Sequence, residues 1–232
     1  NLDDAPATVL EVYQAGVLPS GIEILDGSAI KAVNDFKPHI NLPDAEAILL
    51  FEVDGNPPGV EYEGQVIKEV AGRRARQVEW STEKKRMAEL WEGRSITAAA
   101  AARVRADGSR IFAGEDISVP ISKVADVLRA IRALGEKYGI QVVNYGHIGD
   151  GNVHCAPVIN PENPDEVEKV KKLVDEIHLL AIEMNGSTTG EHGVGAARRG
   201  YAILEHGLAV EYMKKVKAAF DPKGIMNPGK LF

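Results

Sequence analysis

The stretch Asn144-Tyr145-Gly146-His147-Ile148-Gly149-Asp150-Gly151-Asn152-Val153-His154 sets two histidines on either side of an Asp-Gly pair, between two β-prone apolar runs. Such a pair signals a hairpin, because a two-residue type I′ turn needs positive φ at both centres. With Asp150 and Gly151 as those centres, Gly149 pairs with Asn152, Ile148 with Val153, and His147 with His154. A four-residue Gly-Asp-Gly-Asn loop keeps that register. Opposed residues leave the same face of the ladder with Cβ atoms roughly 5 Å apart. Two imidazoles so placed can share one divalent cation or sandwich a ligand. The plain alternative is a pair of solvated histidines flanking a turn. Cys155, next in the strand, points to the other face and reads as a small buried hydrophobe rather than a third ligand.

A second segment, Gly186-Ser187-Thr188-Thr189-Gly190-Glu191-His192-Gly193-Val194-Gly195, lies between two helical stretches. Its four glycines imply tight turns or close approach to a ligand. Glu191 and His192 are adjacent, so they point in different directions and can serve different partners. Two histidines plus one glutamate with an open position form the ligand set of a catalytic divalent site. The competing reading is a helix-capping loop with both side chains in solvent. The glycine order is not that of a dinucleotide fingerprint, and no strand precedes it. The chain closes on 221–232, a Pro/Gly-fixed tail ending in Leu231-Phe232, which must dock against something.

Elements that position these residues are legible from periodicity. Apolar residues at helical spacing mark helices over 121–138 and from Pro161 to a stop at Asn185-Gly186. Further helices are expected at 6–15, around Ile30, and at 66–72, 82–103 and 208–220. Strands are expected at 21–25, 45–53, 77–80, 111–119, 140–147 and 152–158, with a loop at Asn56-Pro57-Pro58-Gly59. Strands and helices in blocks, with a tight hairpin, predict an α+β fold: an antiparallel sheet with helices on one face.

Composition bounds the function. The 232 residues are 44% hydrophobic and 26% charged, enough for a real core. The net charge of -7, with no basic stripe, excludes nucleic acid as the expected partner. A single cysteine fits a reducing compartment. No apolar stretch is long enough to span a bilayer and no signal peptide opens the chain. Asn1 is not an initiating methionine, so the chain is expected to be part of something longer.

Taken together, 147–154, 190–195 and 221–230, with a weaker match that includes Glu115-Asp116-Ile117-Ser118-Val119-Pro120, resemble the C-terminal half of the FAD-linked oxidase family. That family includes glycolate oxidase flavoprotein subunits, D-lactate dehydrogenases and D-2-hydroxyglutarate dehydrogenases. The resemblance implies that residues 1–232 are the cap domain, a ferredoxin-like α+β duplication whose broad antiparallel sheet covers the flavin. It also implies that 187–232 form a tail docking on an N-terminal FAD-binding domain that this sequence lacks. By the same resemblance His147, His154 and Glu191 hold a divalent metal such as Zn, Fe or Mn. His192 is then the general base, Arg94 the clamp for the substrate carboxylate, and Asn227 lies beside the flavin ring. For Arg94 the simpler alternative is a solvated helix charge.

Two departures bear on substrate. Ala156 stands where some relatives carry a polar residue, and Gly114 where dicarboxylate-using relatives can have a lysine. Both favour a small 2-hydroxy acid, D-lactate or glycolate, oxidised to the 2-oxo acid by metal-assisted deprotonation and hydride transfer to FAD. The resemblance further implies an electron-accepting partner (an iron–sulfur protein, a quinone or a cytochrome) and a cytoplasmic location, peripheral to a membrane through that acceptor. The chain by itself is expected to bind FAD poorly and to show no turnover. The competing classes are a flavin-independent His2Glu metal-binding or hydrolytic module, and a metal-free cap whose polar residues only hydrogen-bond substrate.

Overall fold

In the computed structural model, residues 1–111 and 116–232 are described; the readings made on Gly114, on Glu115 and on the middle of the 111–119 strand fall outside them. The chain runs α1 (Asp4–Gln14), β1 (Gly21–Asp26), α2 (Gly27–Phe36), β2 (Ala47–Glu52), α3 (Pro57–Gly72), α4 (Lys84–Ala101), β3 (Ser109–Arg110) and β4 (Ile117–Ser118). A single 3-10 turn (Ile121–Lys123) leads into α5 (Val124–Tyr138), then β5 (Gln141–Gly146), β6 (Asn152–Ile159), α6 (Pro164–Glu183), α7 (Arg199–His206) and α8 (Ala209–Phe220). Among the described residues six strands form one open antiparallel sheet in the order β2-β1-β5-β6-β3, with β4 also on β6. The expected α+β fold is what forms: an open antiparallel sheet with helices packed against it.

Strand alternation divides the side chains between two layers. Ile22, Ile24, Val142, Val153 and Cys155 face the larger helical layer, where they meet Val9 of α1, Leu128 and Ile131 of α5, and Leu173 and Ile177 of α6. On the opposite face Leu25, Val143, Tyr145 and Ala156 meet Ile30 and Val33 of α2 and Ala100 and Ala101 of α4. The expected layer on one face is thus joined by a second, partial one, and the bare part of that second face carries the chemistry. No helix of the described residues is long and apolar enough to cross a membrane.

Several boundaries differ from the sequence reading. The 56–59 segment is a helix start, not a loop: the Asn56 side chain accepts from Gly59 N, and the two prolines occupy a first turn whose N–H groups have no partner to lose. Helix α6 begins at Pro164 rather than Pro161, because Asn163 caps the amides of Asp165 and Glu166. Its end at Asn185 agrees, with φ at 60°. No strand forms at 77–80; Trp80 instead lays its ring against α3 at Gly64, where an added Cβ would sit 2.3 Å from the indole. The short α7 had no periodic signal to announce it.

The hairpin carries the most consequential correction. His154 pairs with Tyr145, not with His147, and Asn144 pairs with Cys155. The turn is not type I′ at Asp150-Gly151, since of those two only Gly151 has positive φ, at 78°. A longer connection forms, in which His147 O accepts from both Asp150 N and Asn152 N at 3.2 Å. The physical reason is Ile148. It is fully buried in the main core rather than paired across the ladder, which pulls the loop inward. Gly149 N then donates to Ile22 O, Tyr13 Oη donates to Gly149 O, and Val119 N donates to Gly151 O. Gly151 must be glycine here, because a Cβ would stand 1.9 Å from Val119 O. The register error is two residues, an even number, so every side chain keeps its expected face.

Ile148→Ala is therefore expected to lower unfolding free energy by about 2–5 kcal/mol in denaturant titration. An unchanged midpoint would show that burial of Ile148 does not set the hairpin.

Candidate metal centre

Three elements converge on the bare part of the second face: the hairpin β5–β6, the loop after α6, and α4 leaning over β1. His147 and His154 each turn Nε2 toward the same oxygen of Glu191, at 3.4 and 3.2 Å from Oε1. Their rings meet edge to face with centroids 5.2 Å apart. Ligands at about 2.1 Å from a tetrahedral ion stand about 3.4 Å from one another. The observed spacings match that figure and exceed the 2.7–2.9 Å of a good charge-assisted hydrogen bond. The donor set therefore fits a divalent cation. His154 is buried, while Glu191 is about half exposed, which leaves a coordination position open to the outside.

His192 completes the cluster. Its ring stacks on His154 at 5.5 Å and 24°, its Nε2 stands 3.6 Å from Glu191 Oε1, and it is half exposed. It is thus free to meet a molecule entering the open side. The sequence expectation that Glu191 and His192 serve different partners holds only in part, since both lean into one cluster.

Asp116 holds the loop in place, and the sequence reading assigned it no role. Fully buried, its carboxylate accepts from Glu191 N, His192 N, Asn152 Nδ2 and Thr189 Oγ1, and its backbone oxygen accepts from Gly190 N. Burial pushes this carboxyl up, but the amides of His192 and Glu191 outweigh burial and hold it below the usual aspartate range. Asp116, His154 and His192 also lie close enough to share an ion. Asp116 has already given its lone pairs to those donors, so the grouping with Glu191 is the better ligand set. Gly190 is required because a Cβ would fall 1.8 Å from Asn152 Nδ2. One turn earlier, Glu205 of α7 accepts from both N and Oγ1 of buried Thr188.

Glu23, also unassigned by the sequence reading, lies buried on the site face of β1. Its Oε1 meets His147 Nδ1 at 2.7 Å and its Oε2 accepts from Arg94 Nε at 2.7 Å. Burial pushes Glu23 up, yet the hydrogen bond with His147 and the charge of Arg94 hold it below its ordinary value. The same bond raises His147 against the opposing effect of burial. Arg94 is mostly buried, with its guanidinium 5.1 Å from the centre of the Tyr145 ring, so it is not the solvated helix charge considered above. Asn227 is exposed in the tail at φ 47°, and among the described residues no contact joins it to the histidines. The tail meets the glycine loop instead, through Leu231 N donating to Gly195 O.

The family model for FAD linked oxidases, C-terminal domain, matches residues 1–231. The chain belongs to that family. It is 37% identical to glycolate oxidase subunit GlcD of Bacillus subtilis, covering 100% of this chain and 49% of that one. It is 33% identical to the probable mitochondrial D-lactate dehydrogenase of Danio rerio, covering 100% of this chain and 46% of that one. The chain thus spans about half the length of the curated relatives it matches. Among solved structures it superposes on 4-ethylphenol oxidase from Gulosibacter chungangensis with a TM-score of 0.72 at 16% identity, covering 100% of this chain and 51% of that one. The TM-score is 0.64 at 12% identity for p-cresol methylhydroxylase, covering 99% and 50%. At those identities the likeness is one of fold.

The Glu205–Thr188 bonds make a pH prediction. Burial raises the Glu205 carboxyl, but the hydrogen bonds from Thr188 lower it further, so the net shift is downward. A depressed acid contributes stability that is present above its unfolded pKa and lost as pH falls through the folded one. Denaturant midpoints should therefore fall with acidification below the ordinary glutamate range, and Glu205→Gln should flatten that slope. Identical pH profiles for the two proteins would contradict the assignment.

Proposed function

We propose that this chain is the substrate-binding C-terminal half of an FAD-dependent dehydrogenase that oxidises a small 2-hydroxy acid, D-lactate or glycolate, to the 2-oxo acid. The observation that carries the reading is the convergence of His147, His154 and Glu191 at donor–donor spacing, with a half-exposed imidazole and a buried guanidinium at its rim.

In this reading His147, His154 and Glu191 hold the divalent ion. When bound, the ion supplies Lewis acidity toward a hydroxyl, and the flavin supplies the acceptor for a hydride. The protein's own groups do the rest. Arg94 offers its two Nη groups as a fork to the substrate carboxylate, since Nε is already taken by Glu23. His192 takes the hydroxyl proton, standing on the exposed side of the cluster. Holding carboxylate and hydroxyl together orients the α-carbon before reaction, which lowers the entropic part of the barrier. Ala156 supports a small acid: it is fully buried on the same face as His154 and packs in an apolar cluster, offering no polar group to a second substrate carboxylate.

The cofactor half of the reading rests on a surface. Leu204, Leu208, Tyr212, Val216, Phe220, Ile225 and Met226, in α7, the turn before α8, α8 itself or the tail, are 55–84% exposed. So much apolar side chain on one terminal region is unusual on a free surface. Residues 187–232 are accordingly the segment that docks on an N-terminal FAD-binding domain, with Asn227 in the tail turned to the flavin.

In the full-length protein, His154→Ala should abolish stoichiometric metal by elemental analysis and lower kcat/KM for D-lactate or glycolate by at least about 100-fold, some 2.7 kcal/mol. A variant that stays metal-loaded and active would overturn the assignment. Metal-dependent hydrolysis by a full-length protein without flavin absorbance would instead establish the flavin-independent class.

A further inference from the structure

Resting on that reading of the site, we infer that Glu23 is a positioning residue that ties the carboxylate-binding arginine to the metal-binding histidine, so that clamp and ion are set by one buried carboxylate. Glu23 sits on β1 with only 6% exposure, and a buried carboxylate is costly unless its oxygens are paired. Here each oxygen has one partner, and the two partners belong to different halves of the proposed chemistry.

On one side, Oε1 takes His147 Nδ1 at 2.7 Å. A neutral imidazole that donates through Nδ1 leaves its Nε2 lone pair facing Glu191 Oε1, which is the tautomer a cation requires. On the other side, Oε2 takes Arg94 Nε at 2.7 Å. That contact uses the inner edge of the guanidinium and leaves both Nη groups without a hydrogen-bond partner among the described residues. Tyr145 backs the plane of the same guanidinium at 5.1 Å, and its ring lies 5.2 Å from that of His154. The contacts therefore close a circuit through Glu23, His147, Glu191, His154, Tyr145 and Arg94. Neither Arg94 nor His147 can turn without disturbing the other.

The test uses the full-length protein, with manganese(II) or zinc titrated into the metal-stripped form, and KM and kcat measured for D-lactate or glycolate at saturating metal. Glu23→Gln keeps the volume but removes the charge and sets an NH2 donor against either Arg94 Nε or His147 Nδ1. It is expected to weaken metal affinity by about 10–100-fold and to raise KM by about 10-fold, with kcat changed less than KM. Glu23→Asp keeps the charge but is one methylene too short to bridge both partners, and it should give the same double loss if the glutamine variant does not fold. Arg94→Ala should raise KM with a smaller loss of metal affinity than Glu23→Gln gives, and adding Glu23→Gln to it should raise KM by less than Glu23→Gln does alone. Wild-type metal affinity and wild-type KM in a folded Glu23 variant would overturn this inference while leaving the metal centre intact. A wild-type protein that takes up no ion, or a His154→Ala protein that binds as tightly as wild type, would overturn the site reading and this inference together.

Discussion

One buried carboxylate decides whether this face of the sheet has a site. Asp116 lies beside β4 and receives the amides of Glu191 and His192 across 75 and 76 residues of sequence. A fully buried acid with that many donors is a fixed anchor, because leaving either side unpaired costs about 1–3 kcal/mol per group. The glycine loop after α6 has no helix or strand of its own to hold it there. A Ser187–Ser118 bridge and the Glu205–Thr188 bonds hold its start, and Asp116 carries it on to set Glu191 over a hairpin that belongs to a different part of the chain.

With the loop pinned, the electrostatics follow. Two imidazoles approach one carboxylate oxygen, and a second carboxylate, Glu23, sits behind one of the imidazoles. The acidic groups Glu23, Glu191 and Asp116 thus surround the imidazoles, with Arg94 paired to Glu23 and Arg110 donating to Tyr145 Oη. A divalent cation suits that setting, and the half-exposed side of Glu191 leaves room for a substrate oxygen. On the proposed reading, the substrate is an anion that brings a carboxylate to the arginine and a hydroxyl to the ion. On the same reading, the apolar surface gathered at α7, α8 and the tail is what a cap over a second domain would need.

Much of this was legible in the residues, and the parts that were not have physical reasons. The common face of His147 and His154 follows from a two-residue period, and it survived a register error because the error was even. The register itself depends on Ile148 choosing the core over the ladder, a tertiary preference that no turn dipeptide encodes. Glu23 reads in sequence as the outward polar residue of an alternating strand, Ile22-Glu23-Ile24; only α4 arriving overhead makes it buried and paired. Asp116 was visible only inside a longer matched stretch, since its partners are distant in sequence. An isolated acid next to a β-prone Ile-Ser-Val run, with a glycine-rich loop needing an anchor elsewhere, is the signal that could have found it.

Whether the three donor groups meet around one ion decides between a metal centre and a purely hydrogen-bonded cluster. X-ray absorption at the metal edge of the full-length protein measures this directly. The prediction is a coordination shell with two imidazole nitrogens and a carboxylate oxygen at about 2.0–2.2 Å. A shell without imidazole scattering, or a protein that carries no stoichiometric metal, would contradict it.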